Sequence, residues 1–182
     1  MITTLYDKFK PWSAKGSIYI ISDTHFEDAD CKLMDTNWIS PQEHVDIIKR
    51  VAHKNDTLIH LGDVGNPKWM EQIKAYKVLI MGNHDQSVTK FKPYFDEIYT
   101  GPLFIAEKIL LSHEFIYGGN WWFNIHGHDH NKENKFSCND INLASNVVDF
   151  SVFDLGTAIK GGMLKSTDGI HRYTIDKASN KM

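Results

Sequence analysis

Three β-branched apolar runs in this chain each stop at a polar residue that a strand interior does not tolerate. Ile18-Tyr19-Ile20-Ile21 leads to Asp23, Thr57-Leu58-Ile59-His60-Leu61 to Asp63, and Lys77-Val78-Leu79-Ile80-Met81 to Asn83. A strand that ends this way delivers the Asp or Asn side chain to one edge of a sheet. Several strands doing so predict a shared site at their carboxyl ends, where open α/β sheets bind ligands.

The segments between these runs fit the same architecture. Pro41 to His53 reads as a helix, with Ser40 as its cap, Pro41 in the first turn, and Val45, Ile48 and Ala52 on one face. Pro67 to Ala75 reads as a short helix and Glu27 to Ser40 as an irregular polar loop over the site. A β-α-β-α-β order with short connections predicts a parallel sheet. After about Phe95 the texture changes. Short apolar runs alternate with turn residues at Leu103–Ala106, Ile109–Leu111, Trp121–Ile125, Val147–Val152 and Ile170–Ile175. This half reads as mainly antiparallel strands. Two packed sheets with helices outside unite the halves in one α/β domain over residues 1–182, with 1–16 as an N-terminal extension and a frayed polar tail from Lys177.

Composition narrows the function classes. A formal charge of −3 gives no support to a broad polyanion-binding surface. No apolar run is long enough to cross a bilayer, and Met1 to Gly16 lacks the pattern of a signal peptide. Cys31 and Cys138 form no CxxC pair and read as free thiols, which points to a reducing, cytoplasmic setting.

Five polar clusters follow one another along the chain: Asp23-Thr24-His25, Gly62-Asp63, Gly82-Asn83-His84-Asp85, Ser112-His113 and Gly127-His128-Asp129-His130. Asp23 and His25 are two apart at a strand end, so both can grip one ion. The two oxygens of Asp63 allow it to bridge two cations, although in isolation it reads first as a turn or cap residue. The Asn83 amide oxygen is a neutral metal ligand, and His84 carries a transferable proton near neutral pH. Asp85 either orients that imidazole or caps the following segment. His113 alone reads as a packed histidine. The alternating His126, His128 and His130 are an imidazole set that suits borderline metal ions.

The ordered set DxH, GD, GNHD, H and GHxH resembles the calcineurin-like metallophosphoesterase superfamily, over the stretch from Ser22 to His130. The Ile-Ser-Asp-Thr-His-Phe opening and the Leu-Ser-His segment are similar to those of small single-domain bacterial and phage phosphoesterases. The resemblance implies a four-layer αββα sandwich, two facing mixed β-sheets flanked by helices. It implies one metal site of Asp23, His25, Asp63 and His130, and a second of Asp63, Asn83, His113 and His128, with Asp63 bridging. His84 then contacts the phosphoryl oxygen or protonates the leaving group, with Asp85 beside it in the catalytic cluster. His126 is expected behind a ligand and His60 in the core.

The activity so implied is hydrolysis of a phosphodiester or phosphomonoester, the diester favoured, through hydroxide held between two divalent ions. Mn2+ is the favoured ion, and Fe, Zn2+, Co2+ and Ni2+ also suit the mixed nitrogen and oxygen donors. The expected partner is a small phosphate-ester substrate, a nucleotide among the candidates, with Trp121 and Trp122 as stacking rings. Neither a membrane nor a long nucleic acid is expected as partner. The competing readings are a nuclease acting on short nucleic acid and a non-catalytic scaffold of the same fold.

Overall fold

The computed structural model describes residues 3–4, 12, 16–106, 109–117, 123–135, 137 and 139–161. Its strands in chain order are β1 (Thr3–Thr4), β2 (Ile18–Ile21), β3 (Thr57–His60), β4 (Tyr76–Ile80), β5 (Glu97–Tyr99), β6 (Leu103–Ala106), β7 (Ile109–Leu111), β8 (Phe123–His126), β9 (Asp140–Asn142) and β10 (Phe153–Asp154). They form two mixed sheets, β10-β2-β3-β4-β5 and β1-β6-β7-β8-β9. In the first, β2 to β5 are parallel, and β10 joins β2 antiparallel at the edge.

Alternation along the strands makes the sandwich. Ile18 and Ile20 of β2, Ile59 and Leu61 at β3, and Val78 and Ile80 of β4 face one core. Leu111, Ile125 and Ile141 of the second sheet complete it. The opposite face of the first sheet, through Leu58 and Leu79, packs against flanking helices. The principal one is α2 (Pro41–Val51), which comes after the short α1 (Cys31–Met34). A capping box starts α2: the Ser40 hydroxyl accepts from the Glu43 N–H, and the Glu43 carboxylate accepts from the Ser40 N–H. Such a cap is worth about 1 kcal/mol. Val45 and Ile48, with Ala52 just beyond the last turn, supply the buried face as the spacing predicts. A 3-10 turn at Pro67–Gln72 and the short α3 (Val88–Phe91) add Met70 and Phe91 to the same layer.

The second sheet corrects the expectation of mainly antiparallel strands. Among the described residues only β6–β7 pairs antiparallel there; β1–β6, β7–β8 and β8–β9 are parallel. The cause is connection length. Residues 112–122 and 127–139 link successive strands and are long enough for crossovers, whereas hairpins need only a few residues. The expected strand at Val147–Val152 is also absent. That stretch is a series of turns, with Val147 and Val148 N–H both donating to Ala144 O and Phe150 N–H to Ser145 O. Val147, Val148 and Phe150 are buried without strand pairing, Phe150 against Trp38 and Cys31. The helix α4 (Leu155–Lys160), capped by Asp154 through the Thr157 N–H, lies just beyond and has no counterpart among the expected elements. The expected strand at Ile170–Ile175, the tail and Cys138 lie outside the described residues. Among the described residues no helix is long and apolar enough to cross a membrane.

Two histidines are built into the outer core. Burial alone pushes His44 down to about 4. Burial first, then the neighbouring histidines, pushes His60 down to about 3. Both are therefore neutral in the native state, while in the unfolded chain they titrate near 6.5. Below that pH the unfolded chain binds more protons, so stability falls as pH drops from 6.5 toward 4 for His44 and toward 3 for His60. Each group contributes a slope of about 1.4 kcal/mol per pH unit once the unfolded imidazole is charged. In urea titrations between those pH values, His44→Leu is expected to flatten the pH slope by about that one-group amount. Parallel slopes for the two proteins would contradict a buried neutral His44.

Candidate metal centre

The parallel pairing of β2, β3 and β4 aligns their carboxyl ends, and the loops beyond them stay bonded to one another. Asp23 N–H donates to Gly62 O at 2.9 Å and His25 N–H to Asp63 O at 3.0 Å. The parallel pairing of β7 with β8 has the larger consequence. It brings His113 and His128 to the same edge, where Gly127 N–H donates to His113 O at 2.8 Å. Antiparallel strands would have put those two residues at opposite ends of the sheet. Two glycines admit the carboxylates. A Cβ at Gly82 would collide with Asp63 Oδ1, and one at Gly127 with Asp23 Oδ2.

The predicted ligands converge in two groups, Asp23–His25–His130 and Asp63–His113–His128, each able to aim one ligand atom per residue at a common point. In the first, Asp23 Oδ1 lies 3.9 Å from His25 Nε2 and 3.7 Å from His130 Nε2. In the second, His113 Nε2 lies 3.3 Å from Asp63 Oδ2 and 3.2 Å from His128 Nδ1. Asn83 joins the second group, its Oδ1 at 2.8 Å from His113 Nε2 and 3.1 Å from His128 Nδ1. Asp63 Oδ2 stands between the groups, 3.8 Å from His25 Nε2 on the other side.

These residues fit divalent cations on two counts. Asp23 Oδ1 and His25 Nε2 are buried with no hydrogen-bond partner. Buried polar atoms left so cost about 1–3 kcal/mol each, and a cation between them removes that cost. The backbone is also held in an uncommon conformation at the ligands, with φ of 54° at Asp23, 40° at His25, 56° at Asp63 and 68° at His128. Left-handed backbone at non-glycine residues persists where surrounding structure enforces it, and it clusters at functional sites.

Charge is organised around Asp63. Burial alone would raise its carboxyl, but the His113 hydrogen bond and charge, with the His84 N–H, outweigh it and hold Asp63 down at about 2. Burial opposes the charged His113 imidazolium, yet Asp63 and Asp23 push His113 up to about 9. Without metal the two form an ion pair; as a ligand, His113 gives up that proton.

His84 stands at the rim, its side chain 65% exposed and its Nε2 4.0 Å from Asp63 Oδ2. Its backbone N–H donates to Asp63 Oδ1 at 2.9 Å, so the residue is fixed while its ring stays open to a ligand. Asp85 differs from either sequence reading. Its carboxylate accepts from the N–H groups of Asp63, Val64 and Gly82, at 2.8, 3.1 and 2.9 Å. It neither meets the His84 ring nor caps the segment after it. It ties the β3 loop to the β4 loop, and burial raises its carboxyl despite those three donors.

His126 is buried but contacts Gly127 O and Asp140 rather than a ligand side chain. His60 is fully buried as expected, and it is also bonded. Its Nδ1 accepts from Gly62 N–H, so Nε2 carries the proton and donates to Thr24 Oγ1, which in turn donates to Val64 O. Trp38, buried, packs edge-on against His25 and at a tilt against His130, and Cys31 is an inert thiol that burial pushes up to about 12. Trp121 and Trp122 lie outside the described residues. Two residues at the site are not among those expected from the sequence. Asp28 meets His25, a contact that the DxHxxD spacing could have revealed, and Asn146 meets His130 with no local signal at all.

The chain matches the family model of the calcineurin-like phosphoesterases over residues 16–159. Among solved structures it is similar to a protein of unknown function from Aquifex aeolicus, at 25% identity and a TM-score of 0.67, covering 79% of this chain and 98% of that one. It is also similar to a nuclease from Pseudomonas putida, at 21% identity and a TM-score of 0.44, covering 61% of this chain and 60% of that one. No curated protein matches the chain.

Proposed function

Because the chain belongs to the calcineurin-like phosphoesterase family, we propose that it hydrolyses a small phosphodiester with two divalent ions held on either side of Asp63. The observation that carries this is the position of Asp63 Oδ2, within 3.8 Å of a nitrogen in each of the two ligand groups. Asp23, His25, Asp63 and His130 would hold one ion, and Asp63, Asn83, His113 and His128 the other. When bound, the pair supplies a water-derived nucleophile at neutral pH and offsets charge at phosphorus. Mn2+ is the favoured ion.

His84 acts from the rim, where its exposed ring reaches a phosphoryl or leaving-group oxygen and supplies a proton or hydrogen bond. Asp85 keeps the Asp63 and His84 loops at fixed separation through its three backbone bonds. The clefts flanking the metal groups support a substrate of low charge. Among the described residues, the one beside His128 is lined by Glu114, Asp129, Glu133 and Asp140 and by no Lys or Arg. The one beside His25 contains Lys32, but its ammonium is bonded to the Thr36 and Trp38 carbonyls. A singly charged diester suits such walls better than a doubly charged monoester or a polyanion.

Hydrolysis of bis(p-nitrophenyl) phosphate and p-nitrophenyl phosphate by Mn2+-loaded protein tests the proposal. The expected result is faster turnover of the diester, abolished by a chelator and restored by Mn2+. Turnover of neither ester, or turnover indifferent to chelation, would overturn it.

A further inference from the structure

His25 and His130 each have one ring nitrogen occupied and one bare, and in both the bare one is Nε2. His25 Nδ1 lies 3.1 Å from Asp28 Oδ2, and the other oxygen of that carboxylate accepts from the Asp30 N–H at 2.9 Å. A carboxylate can only accept, so Nδ1 carries the proton. His130 Nδ1 lies 2.7 Å from the Asn146 side chain. That amide's orientation is set from its other end, where Nδ2–H donates to His130 O at 2.9 Å. The oxygen therefore faces the ring, and again Nδ1 carries the proton. The opposite edges agree. His25 Nε2 and His130 Nε2 stand 3.9 and 3.7 Å from Asp23 Oδ1, too far for the hydrogen bond that a protonated Nε2 would make.

We infer that Asp28 and Asn146 are positioning residues that lock His25 and His130 as Nδ1–H tautomers, so that two Nε2 lone pairs and Asp23 Oδ1 meet at one metal position. A ligand imidazole is oriented, and its tautomer chosen, by the bond its second nitrogen makes. The two locks differ. Asp28 is an anion at the edge of the site, its side chain 32% exposed, whereas Asn146 is neutral, buried, and comes from the turn series between β9 and β10. Asn146 has a second effect: by gripping both the ring and the carbonyl of His130, it fixes the end of the 127–130 loop that also carries His128. The inference rests on the metal-binding part of the proposed function and is independent of which ester is cleaved.

The test uses full-length protein and two readouts that do not depend on turnover. Ring 1H–15N correlations of metal-free protein should show His25 and His130 as Nδ1–H tautomers. Mn2+ binding is then measured by equilibrium dialysis. In Asn146→Leu the His130 ring should lose its Nδ1–H signature, and one Mn2+ per chain should bind about 10–100-fold more weakly. Asn146→Asp, which keeps an acceptor for the ring but no donor for the His130 carbonyl, should retain the tautomer and bind Mn2+ more tightly than Asn146→Leu. Asp28→Ala, at a partly exposed loop position, should give the same pair of losses at His25 and supplies the reading should Asn146→Leu fail to fold. Folded Asn146→Leu and Asp28→Ala proteins with unchanged tautomers or unchanged Mn2+ affinity would overturn the inference. A protein that cleaves neither nitrophenyl ester but shows these tautomers and losses would support the positioning role while overturning the proposed activity.

Discussion

Asp63→Asn is expected to lower ester hydrolysis by about a thousandfold or more, because metal stabilisation of a phosphoryl transition state is worth several kcal/mol and each 1.4 kcal/mol is tenfold. The substitution is nearly isosteric, so the loss is chemical. Asp63 has three tasks at once. Its Oδ1 accepts the His84 N–H, and its Oδ2 faces His113 Nε2 at 3.3 Å and His25 Nε2 at 3.8 Å. A carboxamide has one oxygen and no charge, so it can keep the His84 bond or serve an ion, but it cannot bridge two. It also leaves the buried His113 without the anion that now holds it charged at about 9. Metal analysis should find the variant short of at least one ion per chain relative to the unsubstituted protein. A variant that holds two ions and turns over normally would contradict the shared position of Asp63.

His84→Ala should separate chemistry from metal binding. Its ring is exposed at the rim, and its hydrogen bond to Asp63 runs through its backbone N–H, which alanine retains. Turnover is expected to fall by about 10²–10⁴, the range for loss of a general acid, with metal content unchanged. The neighbouring Asn83→Ala should behave oppositely. Asn83 Oδ1 sits within 3.1 Å of both His113 Nε2 and His128 Nδ1, so its removal should weaken the second ion first. Loss of both ions in His84→Ala would move that residue from the rim into the ligand set.

The legible part of this fold is the part written in single strands. Each run ending in Asp23, Asp63 or Asn83 announces a strand and the edge it serves, and the Ser40-Pro41-Glu43 start announces α2, because caps and apolar alternation are local signals. The second sheet departs from expectation because strand direction is not local. Ile109–Leu111 and Phe123–His126 look alike whether paired parallel or antiparallel, and only the length of residues 112–122 distinguishes them. The Val147–Val152 run departs for another reason: a coil of turns, with positive φ at Asp149 and Phe150, sends its apolar residues to different places, Phe150 against Trp38 and Val148 into the core between the sheets. At the site, the residues that point inward are legible from their motifs. Those that back them are not, since Asn146 reaches His130 only once the loop between β9 and β10 has closed over the strand ends.

The claim on which the rest depends is that Asp63 lies between two metal positions. Anomalous diffraction from crystals grown with Mn2+ tests it directly. Two peaks are expected, about 3.5–4 Å apart as in other two-metal phosphoryl-transfer sites, one among Asp23, His25 and His130 and one among Asn83, His113 and His128, with Asp63 oxygens touching both. A single peak, or two peaks of which Asp63 touches neither, would contradict it.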